Sequence, residues 1–204
     1  MKLWFMLVFS ILTFWAKAQY KTDLYVAQDG SGDYTSIQAA IEDTKSFPDK
    51  RITIHIKNGI YEEKVKVHSW NNKVTLKGES KANTIIRWND YFKKMNQGRN
   101  STFHTATLLI QGDEFRAENL TIENTAGDVG QAVAVSVEAD RCVFYNCKLM
   151  GNQDTLYAAG LNARQYYQNC YIEGTTDFIF GPATAFFENC VIHSKKTSYI
   201  TSAN

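Results

Sequence analysis

The sequence predicts an all-β solenoid, one coil per repeat, with a short helix at its N-terminal end, and three observations predict it. The first is a repeated corner. Four segments align as an apolar or aromatic run, an Asn, a small apolar residue and then Leu or Ile two places later: Phe115 to Ile122, Val143 to Leu149, Tyr166 to Ile172 and Phe186 to Ile192. The second is their spacing. Asn119, Asn146, Asn169 and Asn189 are 27, 23 and 20 residues apart, too short for a strand–helix–strand unit of about 30 residues and suited to one solenoid coil each. The third is that Gln131, Asp154 and Asp177 follow one another at intervals of 23.

These patterns have a physical reading. Asn tolerates the left-handed backbone that a sharp corner needs. Beyond the corner, period-two alternation places Leu120, Cys147, Cys170 and Cys190 in one interior row and Ile122, Leu149, Ile172 and Ile192 in the next. The coil that carries Gln131 is four residues longer than 23, and Gln131 lies four residues further from its Asn than Asp154 and Asp177 do from theirs. On that arithmetic the register survives the insertion, and the three polar side chains stack into one outer patch. The alternative is that the two Asp residues stabilise turns, as Asx residues often do.

Taken in order, the chain opens with Met1-Lys2, an apolar run through Trp15, and Ala16-Lys17-Ala18. A short basic start, an apolar run too short to span comfortably and an Ala-x-Ala site predict a secretory signal cleaved after Ala18; an uncleaved anchor is the alternative. Residues 1–18 are accordingly set apart from a single domain over 19–204, and the protein is expected to be secreted or periplasmic, with no membrane attachment once the signal is removed. Leu24 to Ala27 predicts a strand, followed by the Gly-rich turn Asp29 to Asp33 and a helix. There Thr35 and Gln38 have capping-box spacing, and Ile37, Ala40, Ile41 and Thr44 follow helical periodicity. Such a helix would cover the otherwise bare edge of the first coil. Strands are expected at Ile52 to Ile56, Lys64 to Val67, Val74 to Leu76 and Thr84 to Ile86, with Gly59 to Glu62 as a turn between the first two. Asn89 to Thr105 lacks strand periodicity and is long for a connection, so it is expected to wall a groove.

Composition narrows the function. Twenty-two basic residues against 21 acidic give a net charge of +1, and no basic cluster indicates nucleic-acid binding. No Cys-x-x-Cys or His-Glu-x-x-His spacing points to a metal, and His104 has no Ser or Cys motif to serve. Four cysteines in an exported chain invite disulfides. Three of them instead share an interior row, where a free thiol behaves as a small hydrophobe. Adjacent coils would still bring the Cys170 and Cys190 backbones to about 4.8 Å, within bridging range, so one such bond is an open alternative.

The sequence resembles the pectin methylesterases (pectinesterases). The likeness rests on Val26-Ala-Gln-Asp-Gly-Ser-Gly, Ile37-Gln-Ala-Ala-Ile, Gly59-Ile-Tyr-Glu-Glu-Lys-Val, Ser101-Thr-Phe-His-Thr-Ala-Thr, Asn124-Thr-Ala-Gly, Gln131-Ala-Val-Ala, Gln153-Asp-Thr-Leu and Asp177-Phe-Ile-Phe-Gly, all in order. It implies a right-handed parallel β-helix, no cofactor, and hydrolysis of galacturonate methyl esters in pectin, with pectin as the one expected partner of a monomer. It further implies Asp177 as nucleophile, Asp154 as general acid and then base, and Gln131 and Gln153 as amide donors to the oxyanion. Phe180 and Thr102 match positions near the substrate, although Phe180 could simply pack on the next coil and Thr102 could cap a turn. The family also carries a Leu-Gly-Arg-Pro-Trp motif, whose Arg holds the nucleophile; this sequence ends at Tyr199 to Asn204 without it, and Arg141 and Arg164 match no such position. A C-terminally incomplete chain of low activity is therefore expected. A non-catalytic binder of pectin or another acidic glycan is the rival from another class. A Ca²⁺-dependent lyase on a similar solenoid is disfavoured because no acidic ligand cluster is evident.

Overall fold

Every coil of this protein turns at a residue in the left-handed region, and those residues stack. The structure, a computed structural model, describes residues 20–203; the expected signal segment lies outside the described residues. Asn119, Asn146, Asn169 and Asn189 have φ of 56°, 52°, 56° and 51°, so the repeated Asn is the corner the sequence indicated. The amides also bond along the stack: Asn146 Nδ2 donates to Asn119 Oδ1 at 2.7 Å, and Lys81 Nζ donates to Asn146 Oδ1 at 2.6 Å. A second left-handed column, Lys73, Glu114 and Arg141, turns the chain at another edge.

Between corners run three strands per coil. After β1 (Asp23–Val26) and α1 (Ile37–Glu42), the coils are β2 (Ile52–Ile56), β3 (Gly59–Glu62) and β4 (Val65–Val67); β5 (Val74–Gly78), β6 (Thr84–Trp88) and β7 (Leu108–Ile110); β8 (Arg116–Glu118), β9 (Thr121–Asn124) and β10 (Val135–Val137); β11 (Cys142–Tyr145), β12 (Lys148–Met150) and β13 (Leu156–Ala158); β14 (Arg164–Gln168), β15 (Tyr171–Gly174) and β16 (Ile179–Gly181); β17 (Thr184–Glu188), β18 (Val191–Ser194) and β19 (Thr201–Ala203). Each strand pairs in parallel with its equivalent one coil away, giving a seven-stranded first sheet that starts at β1 and six-stranded second and third sheets that start at β3 and β4. The architecture is a right-handed parallel β-helix of about 7 turns.

The core is a set of columns. Ile86, Ile122, Leu149 and Ile172 are in register and fully buried; Ile192 continues the row but is 41% exposed on the last coil. Phe144, Tyr167 and Phe187 stack at 5.0 and 4.8 Å between ring centroids, near parallel, each pair worth about 0.5–1.5 kcal/mol beyond its area. Leu120, Cys147 and Cys170 are buried as expected, with Cys190 half-buried. All four thiols are free, so the Cys170–Cys190 bond is not formed. These two thiols instead donate to carbonyls of the preceding coil, Cys170 to Phe144 and Cys190 to Tyr167, at 3.5 and 3.3 Å.

Two expectations are corrected. Gly59 to Glu62 is strand β3, not a turn, because it pairs residue for residue with Thr84 to Arg87. The helix does not use a Thr35–Gln38 capping box: Ser36 is the N-cap and accepts from Ala39 N at 3.2 Å. The carboxylate of Glu63, from the first coil, accepts the Ile37 and Gln38 N–H groups at 2.8 and 3.0 Å, while Gln38 reaches back to Lys66. A tertiary carboxylate thus satisfies amides that α1 leaves open. Its buried Ile37, Ala40 and Ile41 face β1, β2 and β4, as a capping helix requires.

Candidate active site

Asp154 and Asp177 sit on adjacent coils at equivalent places, each two residues before a paired strand residue, Leu156 opposite Ile179. Both are left-handed, with φ of 66° and 47°, a conformation Asp tolerates better than most residues. The strands hold them from behind: Leu156 is buried, and Phe178, next to Asp177, has no exposure at all. Gly181 closes the motif with φ of 117°, and a Cβ there would lie 2.2 Å from the Ala158 carbonyl oxygen, so only Gly fits the end of Phe-Ile-Phe-Gly.

Neither Asp stabilises a turn. Where an Asx turn exists in this chain it is plain, as at Asp29, whose Oδ1 accepts Ser31 N at 2.9 Å. Among the described residues, no hydrogen bond or ion pair is made by the side chain of Asp154 or Asp177. A carboxyl group that is 8% exposed and has no partner favours its neutral form. Burial, with the Asp177 charge adding to it, pushes the Asp154 pKa up to about 7. One member of the pair thus keeps its proton well above the ordinary carboxylate range.

Gln131 and Gln153 lie beside them, in a different register from the one expected. Gln131 bridges to Gln153 rather than stacking on Asp154. The shift arises ahead of Gln131: Ile122 pairs with Leu149, 27 residues on, whereas Gln131 bridges a residue only 22 on, so the loop between them holds five extra residues where four were expected. The two amides become nearest neighbours, and among the described residues neither side chain is tied up in a hydrogen bond.

The segment 89–105 walls this site. It carries α2 (Phe92–Met95) and a 3₁₀ helix (Gly98–His104). Buried Asn124 fastens it, its Nδ2 donating to the carbonyls of Asp90 and Val133 at 2.9 and 3.0 Å, while Phe92 N donates to the Gln131 carbonyl. Thr102 is buried in this wall, and its carbonyl rather than its hydroxyl closes the turn at Thr105. His104 is exposed there, and its carbonyl accepts Lys64 Nζ.

Sequence reasoning missed two aromatics. Tyr157 stacks on Phe180 at 4.7 Å between centroids and receives Phe103 from the wall at 5.0 Å. Phe180 therefore packs back onto the preceding coil, at the end of an aromatic column with Tyr157 and Phe103. The signal was available, since Tyr157 precedes Phe180 by the same 23 residues that separate Asp154 from Asp177. Arg141 and Arg164, the nearest sequence substitutes for a missing Arg, are both paired with Asp140, at 2.6 and 2.8 Å. Among the described residues, no basic side chain pairs with Asp177, and no group of three or more His, Cys, Asp or Glu is placed to hold a metal ion. None of the described helices is long and apolar enough to cross a membrane.

Comparison with known proteins follows the same lines. Residues 23–203 match the family model Pectinesterase. Pectinesterase 31 of Arabidopsis thaliana is 44% identical over 184 residues, an alignment covering 87% of this chain and 57% of that protein. Among solved structures, the pectin methylesterase from carrot superposes with a TM-score of 0.78 at 37% identity, over 84% of this chain and 52% of the other. The pectin methylesterase PemA from Erwinia chrysanthemi gives 0.80 at 29% identity, over 91% and 61%. The chain thus spans between half and two thirds of the length of these relatives.

Proposed function

Because the chain belongs to the pectinesterase family, we propose that its carboxylate pair removes methyl esters from galacturonate units of pectin, yielding pectate and methanol. The observation that carries the reading is the split between the two Asp residues. Asp154 is buried, partnerless and protonated up to about pH 7, and its neighbour Asp177 is more exposed. An acid and a nucleophile at one site need that difference.

The chemistry then runs on this chain's own groups. Asp177 attacks the ester carbonyl carbon, and the oxygen that takes up the charge is met by the free amides of Gln131 and Gln153; such a donor is worth about 10²–10³ in rate. The tetrahedral adduct collapses, the bond to the methoxy oxygen breaks, and Asp154 delivers its proton so that methanol leaves. An acyl-enzyme anhydride on Asp177 remains. Asp154, now ionised, takes a proton from water, whose oxygen attacks the sugar acyl carbon. The product leaves Asp177 as the carboxylic acid and releases its proton to solvent, Asp177 is again a carboxylate, and Asp154 is again protonated. Tyr157, Phe180 and Phe103 offer the flat faces against which a sugar ring lies, and Thr102 lines the wall behind it. The leader-like residues 1–18 support export to where pectin is found.

The test is a rapid quench of the protein with a fully methyl-esterified oligogalacturonate, followed by peptide mass analysis. An adduct on the peptide containing Asp177, absent in Asp177→Ala, is expected. An adduct on another residue would remove Asp177 from the nucleophile's role. Glycan binding with neither adduct nor methanol would leave the non-catalytic binder standing.

A further inference from the structure

A third carboxylate lies on the outer face of the third sheet, on the same face as the aromatic column. Ser136 is the register partner of Tyr157, so its hydroxyl and the Tyr157 ring emerge side by side from β10 and β13. Glu138 follows two residues later, and its Oε1 accepts that hydroxyl at 3.1 Å. Its Oε2 accepts Gln111 Nε2 at 3.0 Å, from the residue just past β7. Both oxygens are therefore held, and the half-buried carboxylate cannot swing away into solvent. Among the described residues it forms no ion pair. The nearest cation on that face in register is Lys66 on β4, two strands from Ser136 and so about 9–10 Å away along the stack.

Asp154 precedes β13 while Glu138 lies past the end of β10. The aromatic column therefore runs between the carboxylate pair on one side and Glu138 on the other. Within the pectin reading above, on which this inference rests, we propose that Glu138 is a specificity-determining residue: it admits a methyl-esterified, neutral galacturonate against Tyr157 and disfavours the de-esterified, anionic one. The physical reason is simple. A uronate carboxylate brought beside a fixed, weakly screened negative charge is repelled, whereas the methyl ester carries no charge and gains contact with the rings. The Glu138 charge already acts on this position, since it adds to burial in raising the pKa of the Tyr157 hydroxyl. The consequence for the product is a pattern: the site would favour esters flanked by esters and slow down as free carboxylates accumulate around it.

Binding tests this directly and does not require turnover. Titration calorimetry would compare wild type with Glu138→Gln, which keeps the size and can keep the hydrogen bonds, using a fully methyl-esterified hexagalacturonate and its de-esterified counterpart. Wild type is expected to prefer the esterified glycan. Glu138→Gln should shrink the preference roughly tenfold, through tighter binding of the anionic glycan with little change for the neutral one. Raising salt to about 1 M should shrink the wild-type preference by more than that of the variant, because screening removes the same repulsion. An unchanged ratio in the folded variant, with equal salt dependence, would overturn the inference and leave the esterase reading intact. Failure of wild type to bind either glycan would overturn both.

Discussion

Asp154 and Asp177 hold the same position on consecutive coils, both left-handed and both with side chains that accept no hydrogen bond among the described residues. A turn-forming Asp satisfies its carboxylate locally; these two do not. They are kept in an unfavourable conformation and environment by the coils around them, at a cost of about 1–3 kcal/mol for each strained backbone. That cost has a chemical return only if the pair reacts.

Removing the proton carried by Asp154 should abolish the acid step. Asp154→Asn is expected to lower methanol release about 10²–10⁴-fold with little loss of glycan binding. Activity of the wild type should decline as pH rises through about 7, where the acid form of Asp154 is lost. A pH–rate profile of the two proteins checks both points.

The same group should govern stability with pH. Its folded pKa is raised from 3.8 to about 7, so the native state holds a proton that the unfolded chain has released across this window. Stability from this group is therefore fully present below about pH 3.8, declines as pH rises toward 7, and is then flat. Asp154→Asn removes the dependence and should be more stable than wild type at pH 8 by up to about 4 kcal/mol, with the difference vanishing near pH 3. Urea unfolding at a series of pH values measures it.

The oxyanion role proposed for the amides should separate from folding. Gln131→Ala and Gln153→Ala remove side chains that bond to nothing else in the described structure, so unfolding midpoints should hardly move. Methanol release should fall about 10–10³-fold in each. A fall in stability without a fall in rate would reassign both residues to packing.

The Asn corner is a stability device. Asn146→Ala loses the bond to Asn119 and places a Cβ-bearing residue without a local polar partner at φ of 52°. The expected cost is about 1–3 kcal/mol by urea unfolding. Asn146→Gly should recover the backbone part of that loss and not the hydrogen bond.

Much of this architecture was legible because the repeat is written in residues with conformational preferences. Asn at each corner announces a left-handed bend, and period-two alternation fixes which of Leu120, Cys147 and Cys170 point inward. The Asp pair was legible for the same reason, since its coils have one length. What escaped had no such mark. The second corner column uses Lys73, Glu114 and Arg141, types with no left-handed preference. The Gln131 register depends on a fifth extra residue in the loop after β9, which the spacing of the Asn corners does not reveal. The carboxylate on α1 comes from Glu63, 26 residues beyond Ile37, so a local capping motif was the only one sequence spacing could suggest. Glu138 belongs to no motif; only the pairing of Ser136 with Tyr157 places it beside the rings.

The central claim is that the Asp177 carboxylate opens the ester while Asp154 supplies the proton. Methanol release from highly methyl-esterified pectin tests it most directly, measured for this chain alone and for the chain joined to the remaining length of a full-size relative, each with Asp177 or with Asp177→Ala. The account predicts methanol from a form that keeps Asp177 and none above background from its Asp177→Ala partner. Methanol at the same rate from both, or from no form that keeps Asp177, would contradict it.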